Sequence, residues 1–192
     1  STFKIDIMPD VHIVDRYFRA VEKLNVRNDF YGLDFFISDK NNFPISELPV
    51  EFQNGYYAFV IGGTYKTKIL PPVKIAEVLK KINKPVILLG GPDDVERAEE
   101  IISLVNGQPT TDNGGINSQI QKDSQFFSFS DFQILNLVGK INLEQSASIV
   151  KNADSVLTND TGLMHIAAAF HKNIVSVWGN TVPELGMYPY LP

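Results

Sequence analysis

The sequence predicts an α/β fold built on an open parallel sheet, and three observations carry that prediction. From Tyr56 onward, short apolar runs alternate with segments of helical periodicity, the pattern of strands joined by crossover helices. The runs end in turns of one style, polar and mostly glycine-bearing: "GGTYKTK", "GGPDD", "NDTG" and "GNTVPE". Apolar residues make up 44% and charged residues 20% of the 192 residues, an ordinary globular composition. A chain of this length buries roughly 70% of its unfolded surface, enough for a real core.

The elements follow in order. "VHIVDRYFRAVEKLNV" (11–26) places Val14, Tyr17, Phe18, Val21 and Leu24 at helical spacing and predicts an amphipathic helix. "LDFFI" (33–37) reads as a short strand, and the polar, Pro-containing "SDKNNFPISELP" after it reads as a linker. Strands are then expected in "YYAFVIGG", "PVILLGG", "ILNLVG", "SVLTN" and "NIVSVWG", with helices over 72–83, 94–105, 143–151 and 161–170 between them. The Gly-, Asn-, Gln- and Ser-rich stretch 107–133 breaks the rhythm and reads as a long, mobile surface excursion.

Composition removes several function classes. The longest strongly apolar stretches fall far short of the ~20 residues of a spanning helix. There is no Cys, which excludes disulfides and thiolate zinc sites, and the cytoplasm is the default compartment. A formal charge of -5 argues against a nucleic-acid footprint while leaving small anionic ligands open. Ser1 is followed by no charged-then-apolar leader, so this end reads as cut or processed.

In a parallel sheet the four turns share the edge at the strands' carboxyl ends, where ligands bind in open α/β folds. In "LTNDTGLMHIAAAF" (157–170), a helix starting near Thr161 aims free N–H groups and its positive dipole end at that crevice, a ready site for a phosphate. Asp160 suits the N-cap, and Gly162 lets a ligand approach the backbone. Leu163, Ile166, Ala167 and Phe170 form the core stripe, while Thr161 and His165 lie one turn apart on another face. Capping alone explains Asp-Thr-Gly equally well, and a buried, satisfied histidine explains His165. A carboxylate beside a pyrophosphate repels it unless it binds a hydroxyl, an amide or a cation instead, and we assign Asp160 to sugar hydroxyls. Positive charge comes from "GGTYKTKILPP", with hydroxyls at Thr64 and Thr67 and cations at Lys66 and Lys68. The stretch departs from a Walker-type loop. At "GGPDDVERAEEI", capping is the better reading for Asp93 and Asp94.

With these residues in view, the chain resembles glycosyltransferase family 9, the heptosyltransferases of lipopolysaccharide core synthesis. "TKILPP", "VILLGGPDD", "INLEQSASIVKNADSVLTNDTGLMHIAAA" and "VWGNTVPELGMYPY" match the family's carboxyl-terminal domain in order and spacing, over about 56–192. The resemblance implies a Rossmann-like parallel sheet with flanking helices, the C-terminal half of a GT-B glycosyltransferase. It divides the chain into 1–50, the tail of the N-terminal acceptor domain and a linker, and 51–192, the nucleotide-sugar-binding domain. It implies that Lys68 meets the donor phosphate with Thr64 or Thr67 alongside, and that Asp160 holds the sugar hydroxyls. It also implies that Thr161, Gly162 and His165 line the diphosphate, and that Ile141 packs on the nucleoside. The family's acidic adenosine contact has three candidates here, Asp93, Asp94 and Glu96.

The implied function is the donor-binding part of an inverting glycosyltransferase that takes an ADP-sugar, ADP-heptose by likeness, and serves a lipopolysaccharide core or other glycan acceptor. No metal or other cofactor is implied. The family's catalytic carboxylate belongs to the N-terminal domain, so no catalytic residue is expected in this chain, which reads as a fragment without transfer activity of its own. Any peripheral contact with the inner face of the inner membrane falls to that other domain. Two other functions share these features. A GT-B epimerase or hydrolase of nucleotide sugars would turn over without an acceptor, and a non-catalytic nucleotide-binding module would bind ADP without turnover.

Overall fold

A computed structural model of the protein describes residues 11–63, 65–107, 126–129 and 132–192. Six strands form one sheet: β1 (Tyr57–Val60), β2 (Val86–Leu89), β3 (Phe126–Phe129), β4 (Phe132–Asn136), β5 (Ser155–Asn159) and β6 (Asn173–Val177). Their spatial order is β3-β4-β2-β1-β5-β6, parallel throughout except for β3, which runs antiparallel to β4 along the edge. The long helices are α1 (Ile13–Val21), α3 (Pro72–Leu79), α4 (Val95–Val105), α5 (Leu143–Asn152) and α6 (Gly162–Ala169), with a single turn α2 (Val50–Gln53) before the first strand.

The two-residue period of the central strands explains the layering. Ala58, Val60, Ile87 and Leu89 face one core with Ile149 and Val150 of α5 and Ala167 of α6. Phe59, Ile61, Val86 and Leu88 face the other core with Ile75 and Leu79 of α3 and Ala98, Ile101 and Val105 of α4. Strands buried on both faces read as continuous apolar runs, which is why β1 and β2 are visible in sequence.

The sequence expectations need correction in several places. "LDFFI" is not a strand: among the described residues no ladder partner reaches it, and Phe35 instead meets Phe170 edge-on at 6.1 Å. The polar stretch after it is fixed to α5. Ser38 N–H donates to Glu144 Oε2 at 2.9 Å, Ser38 Oγ bonds the same oxygen, and Phe43 N–H donates to Ser148 Oγ at 2.9 Å. The Ser38 hydroxyl, then the Asn41 amide at 3.0 Å and the Ser38 N–H, pull the Glu144 carboxyl down to about 2. Of the excursion 107–133, residues 108–125 and 130–131 lie outside the described residues, and the described part of its end forms the unforeseen strand β3 and the start of β4.

The amphipathic helix at 11–26 exists but is shorter, Ile13–Val21 followed by a 3₁₀ turn at Glu22–Leu24. His12 caps it, Nδ1 accepting from Val14 N–H at 3.2 Å. Its apolar stripe is not buried among the described residues, with Tyr17 66% exposed. The helix is tied to the chain's other end instead. Ile13 N–H donates to Gly186 O at 2.8 Å, the His12 ring bonds Tyr188 O at 2.7 Å, and Tyr190 Oη donates to Asp15 Oδ1 at 2.7 Å.

Candidate functional site

Strand order locates the crevice. From β1 the chain steps outward through β2 to β4, then returns to the opposite side of β1 for β5 and β6. The topology therefore switches between β1 and β5, the place where connections diverge and the carboxyl ends of an open sheet leave a ligand cleft. The turns after both strands carry the predicted polar residues.

Asn159, fully buried at the end of β5, ties the two turns together. Its Nδ2 donates to Ile61 O at 3.3 Å and Gly62 O at 3.1 Å, and its Oδ1 accepts from Leu70 N–H at 3.3 Å. This fixes both ends of the 62–70 loop against β5. In the 3₁₀ turn Lys66–Lys68, Lys68 Nζ then reaches across the switch point and donates to Asp160 Oδ2 at 2.5 Å. The pair is shielded, with side-chain exposures of 21% for Lys68 and 6% for Asp160. Thr181, on the turn after β6, donates its hydroxyl to the same Oδ2 at 2.9 Å.

Asp160 is therefore not a helix cap. The N-cap of α6 is Thr161, which makes no side-chain capping bond, and the helix starts at Gly162. Its Oδ2 accepts from Lys68 Nζ and Thr181 Oγ1 instead of from an N–H of the first turn of α6. The uncapped end leaves the first amides of α6 facing the crevice. His165, one turn into α6, is half-buried, and burial holds its imidazole below the ordinary value; the Asp160 carboxylate opposes that shift, while His12 and Lys68 add to it. The helix buries more than the predicted stripe, because Met164 and Ala168 are buried as well.

Beside this group lies a cavity of about 860 Å³. The turns after β1 and β2 contribute Gly62, Gly63, Gly90 and Gly91, the start of α5 contributes Ile141, Asn142 and Ser146, and the start of α6 contributes Thr161, Gly162 and Leu163. Of the eight predicted binding residues, Ile141, Thr161 and Gly162 line it. Lys68 and Asp160 form the adjoining ion pair, with His165 within their electrostatic reach. Thr67 is exposed and contributes its carbonyl to Asn180 N–H at 3.1 Å rather than a hydroxyl to the cavity. Thr64 lies outside the described residues.

Two cations line the cavity: Lys66, which the sequence offers beside Lys68 as positive charge at this edge, and Arg97, which sequence reasoning did not place there. Arg97 is paired with Asp94, whose Oδ2 accepts from Gly91 N–H at 2.9 Å while Asp94 N–H donates to Gly91 O at 3.0 Å. Of the two capping candidates, Asp94 closes the 3₁₀ turn Pro92–Asp94, while at the start of α4, where it is the N-cap, it makes no side-chain capping bond. A Cβ at Gly62 would collide with its carboxylate, which accounts for one of the two glycines after β1. Thr181 was missed because a lone threonine in a turn carries no signal, although its turn, "GNTVPE", was recognised as part of the edge. Among the described residues, no group of three or more His, Asp or Glu side chains has a metal-holding arrangement, and no helix is long and apolar enough to cross a membrane.

Residues 1–190 match the profile of glycosyltransferase family 9 (heptosyltransferase). The chain belongs to that family. Among curated family members, the lipopolysaccharide heptosyltransferase 2 of Salmonella typhimurium is 28% identical over 117 residues, which is 59% of this chain and 28% of that protein. A family 9 glycosyltransferase structure from Veillonella parvula superposes with a TM-score of 0.66 at 20% identity, over 95% of this chain and 48% of that one. The E. coli heptosyltransferase WaaC solved with ADP gives 0.60 at 23% identity, over 97% and 50%. At these identities the superpositions establish the family 9 fold, a Rossmann-like α/β half of a GT-B architecture. The chain spans about half the length of the solved family members it matches.

Proposed function

We propose that this chain binds the nucleotide sugar of an inverting glycosyltransferase, an ADP-sugar and specifically ADP-heptose, for transfer to a lipopolysaccharide core on the cytoplasmic side. The observation that carries the reading is the pairing of Lys68 with Asp160 across the β1/β5 switch point, beside a cavity of about 860 Å³. That volume is within the usual range for small-molecule sites, roughly 300–1,000 Å³. Family membership and the ADP bound by the solved E. coli relative support the choice of nucleotide.

In this reading the nucleoside occupies the cavity against Ile141, and the diphosphate lies along the Gly62–Gly63 turn and the start of α6 at Thr161–Gly162. The sugar extends past Thr161 to Asp160. Lys68 uses one ammonium proton on Asp160 and has two further donors for phosphate. The acceptor hydroxyl loses its proton to a general base and attacks the anomeric carbon, and the bond from that carbon to the diphosphate oxygen breaks. Negative charge then grows on the departing diphosphate, where the α6 amides, Lys66 and Lys68 act as preorganised positive potential. A neutral His165 adds a hydrogen-bond partner without a second charge.

Titration calorimetry of the 192-residue chain with ADP, adenosine and ADP-heptose tests this. Binding of ADP and ADP-heptose, weaker binding of adenosine, and no sugar transfer by the chain alone are the expected results. Failure to bind ADP, or adenosine binding as tightly as ADP, would overturn the proposal.

A further inference from the structure

We infer that Thr181 is a positioning residue that sets the orientation of the Asp160 carboxylate for the donor's sugar, an inference resting on the donor-site reading above. A carboxylate on a short side chain turns in a broad torsional well, and one bond to a flexible lysine does not define its plane. Here Oδ2 is held from two directions, by Lys68 Nζ at 2.5 Å and Thr181 Oγ1 at 2.9 Å. Oδ1 accepts no hydrogen bond among the described residues, so it is the oxygen presented to a ligand hydroxyl.

The two donors are also held in register with each other. Asn180 N–H, next to Thr181, donates to the carbonyl of Thr67, next to Lys68, at 3.1 Å. Gly179 lies against that same carbonyl so closely that a Cβ there would overlap it. The turn after β6 is thus attached to the turn after β1, and both converge on the one oxygen. When Lys68 shifts toward a diphosphate, the Thr181 hydroxyl still holds the carboxylate in place.

The test is calorimetry of the wild type, Thr181→Val and Thr181→Ser with ADP and with ADP-heptose, alongside their melting temperatures. Valine keeps the shape and removes the hydroxyl, and serine keeps the hydroxyl. Thr181→Val is expected to bind ADP-heptose about three- to tenfold more weakly, the scale of one ordinary hydrogen bond, with ADP affinity unchanged. Thr181→Ser is expected to recover the loss, and Thr181→Ala to repeat it should the valine variant fold poorly. Equal losses for both ligands, no loss for either, or a serine variant as weak as valine would overturn the inference while leaving the donor site standing. A wild type that binds neither ligand would overturn the donor reading and this inference with it.

Discussion

Asp94 and Asp160 are buried carboxylates at the turns after β2 and β5, the strands on either side of β1, each beside a helix start and each paired with a cation, yet they draw their partners from different ranges. Asp94 spends both oxygens locally, Oδ1 on Arg97 and Oδ2 on Gly91 N–H, and the glycines at 62 and 90 close around it. Asp160 receives both of its partners on Oδ2 and draws them from distant turns. A carboxylate whose partners lie within three residues maintains its own turn. One whose partners come from across the sheet joins those turns, and can be shared with a molecule between them.

The largest expected effect breaks the comparison on the Asp94 side. Asp94→Ala removes a charge-assisted bond to Arg97 and the bond to Gly91 N–H, and should cost roughly 1.5–3 kcal/mol of stability. For a domain of this size that is a fall of several degrees in melting temperature, since 1 kcal/mol corresponds to about 2–4 °C. The preference between ADP and ADP-heptose should survive. Thermal melts and calorimetry on the same preparation check both halves, and a loss of that preference would give Asp94 a ligand role.

Next comes the cation shared with the site. Lys68→Ala should lower ADP affinity by roughly 1.5–3 kcal/mol while adenosine binding changes little, because the lost partner is the phosphate. It also leaves Asp160 with Thr181 alone, so a smaller fall in melting temperature should accompany it. Equal losses for ADP and adenosine would assign Lys68 to the fold.

The smallest effect concerns His165. Burial holds its folded value below the ordinary 6.5, so the unfolded chain takes up a proton at a higher pH than the folded one. Stability should therefore be fully present above about pH 6.5 and decline as the pH falls from there toward the lowered folded value. His165→Gln should flatten that part of the curve in melts between pH 7.5 and 5. A variant curve as steep as the wild type's would place the titration elsewhere.

How far these features were legible depends on the range of the interactions that make them. Doubly buried parallel strands are continuous apolar runs, so β1 and β2 could be read from composition alone. β3 could not, because its pairing with β4 is tertiary and it lies in a polar stretch. "LDFFI" has strand composition, but it packs Phe35 against Phe170 and joins no ladder among the described residues. The capping of Asp94 is three residues long and was legible. The pairing of Asp160 spans 92 residues to Lys68 and 21 to Thr181, and local chemistry suggested a cap instead. The four turns were recognised as one edge, but which of them reaches which depends on strand order, and that order is not written in any single segment.

The central claim is that Asp160 addresses the sugar while its neighbours address the diphosphate. Calorimetry of wild type and Asp160→Asn with ADP and ADP-heptose tests it most directly, because asparagine keeps the size and one acceptor oxygen while the charge is lost and the other oxygen becomes an NH2 donor. The account predicts a loss of about 1–2 kcal/mol, roughly five- to thirtyfold, for ADP-heptose, with ADP bound as well as or slightly better than before. A variant that lost both ligands equally, or kept both, would contradict it.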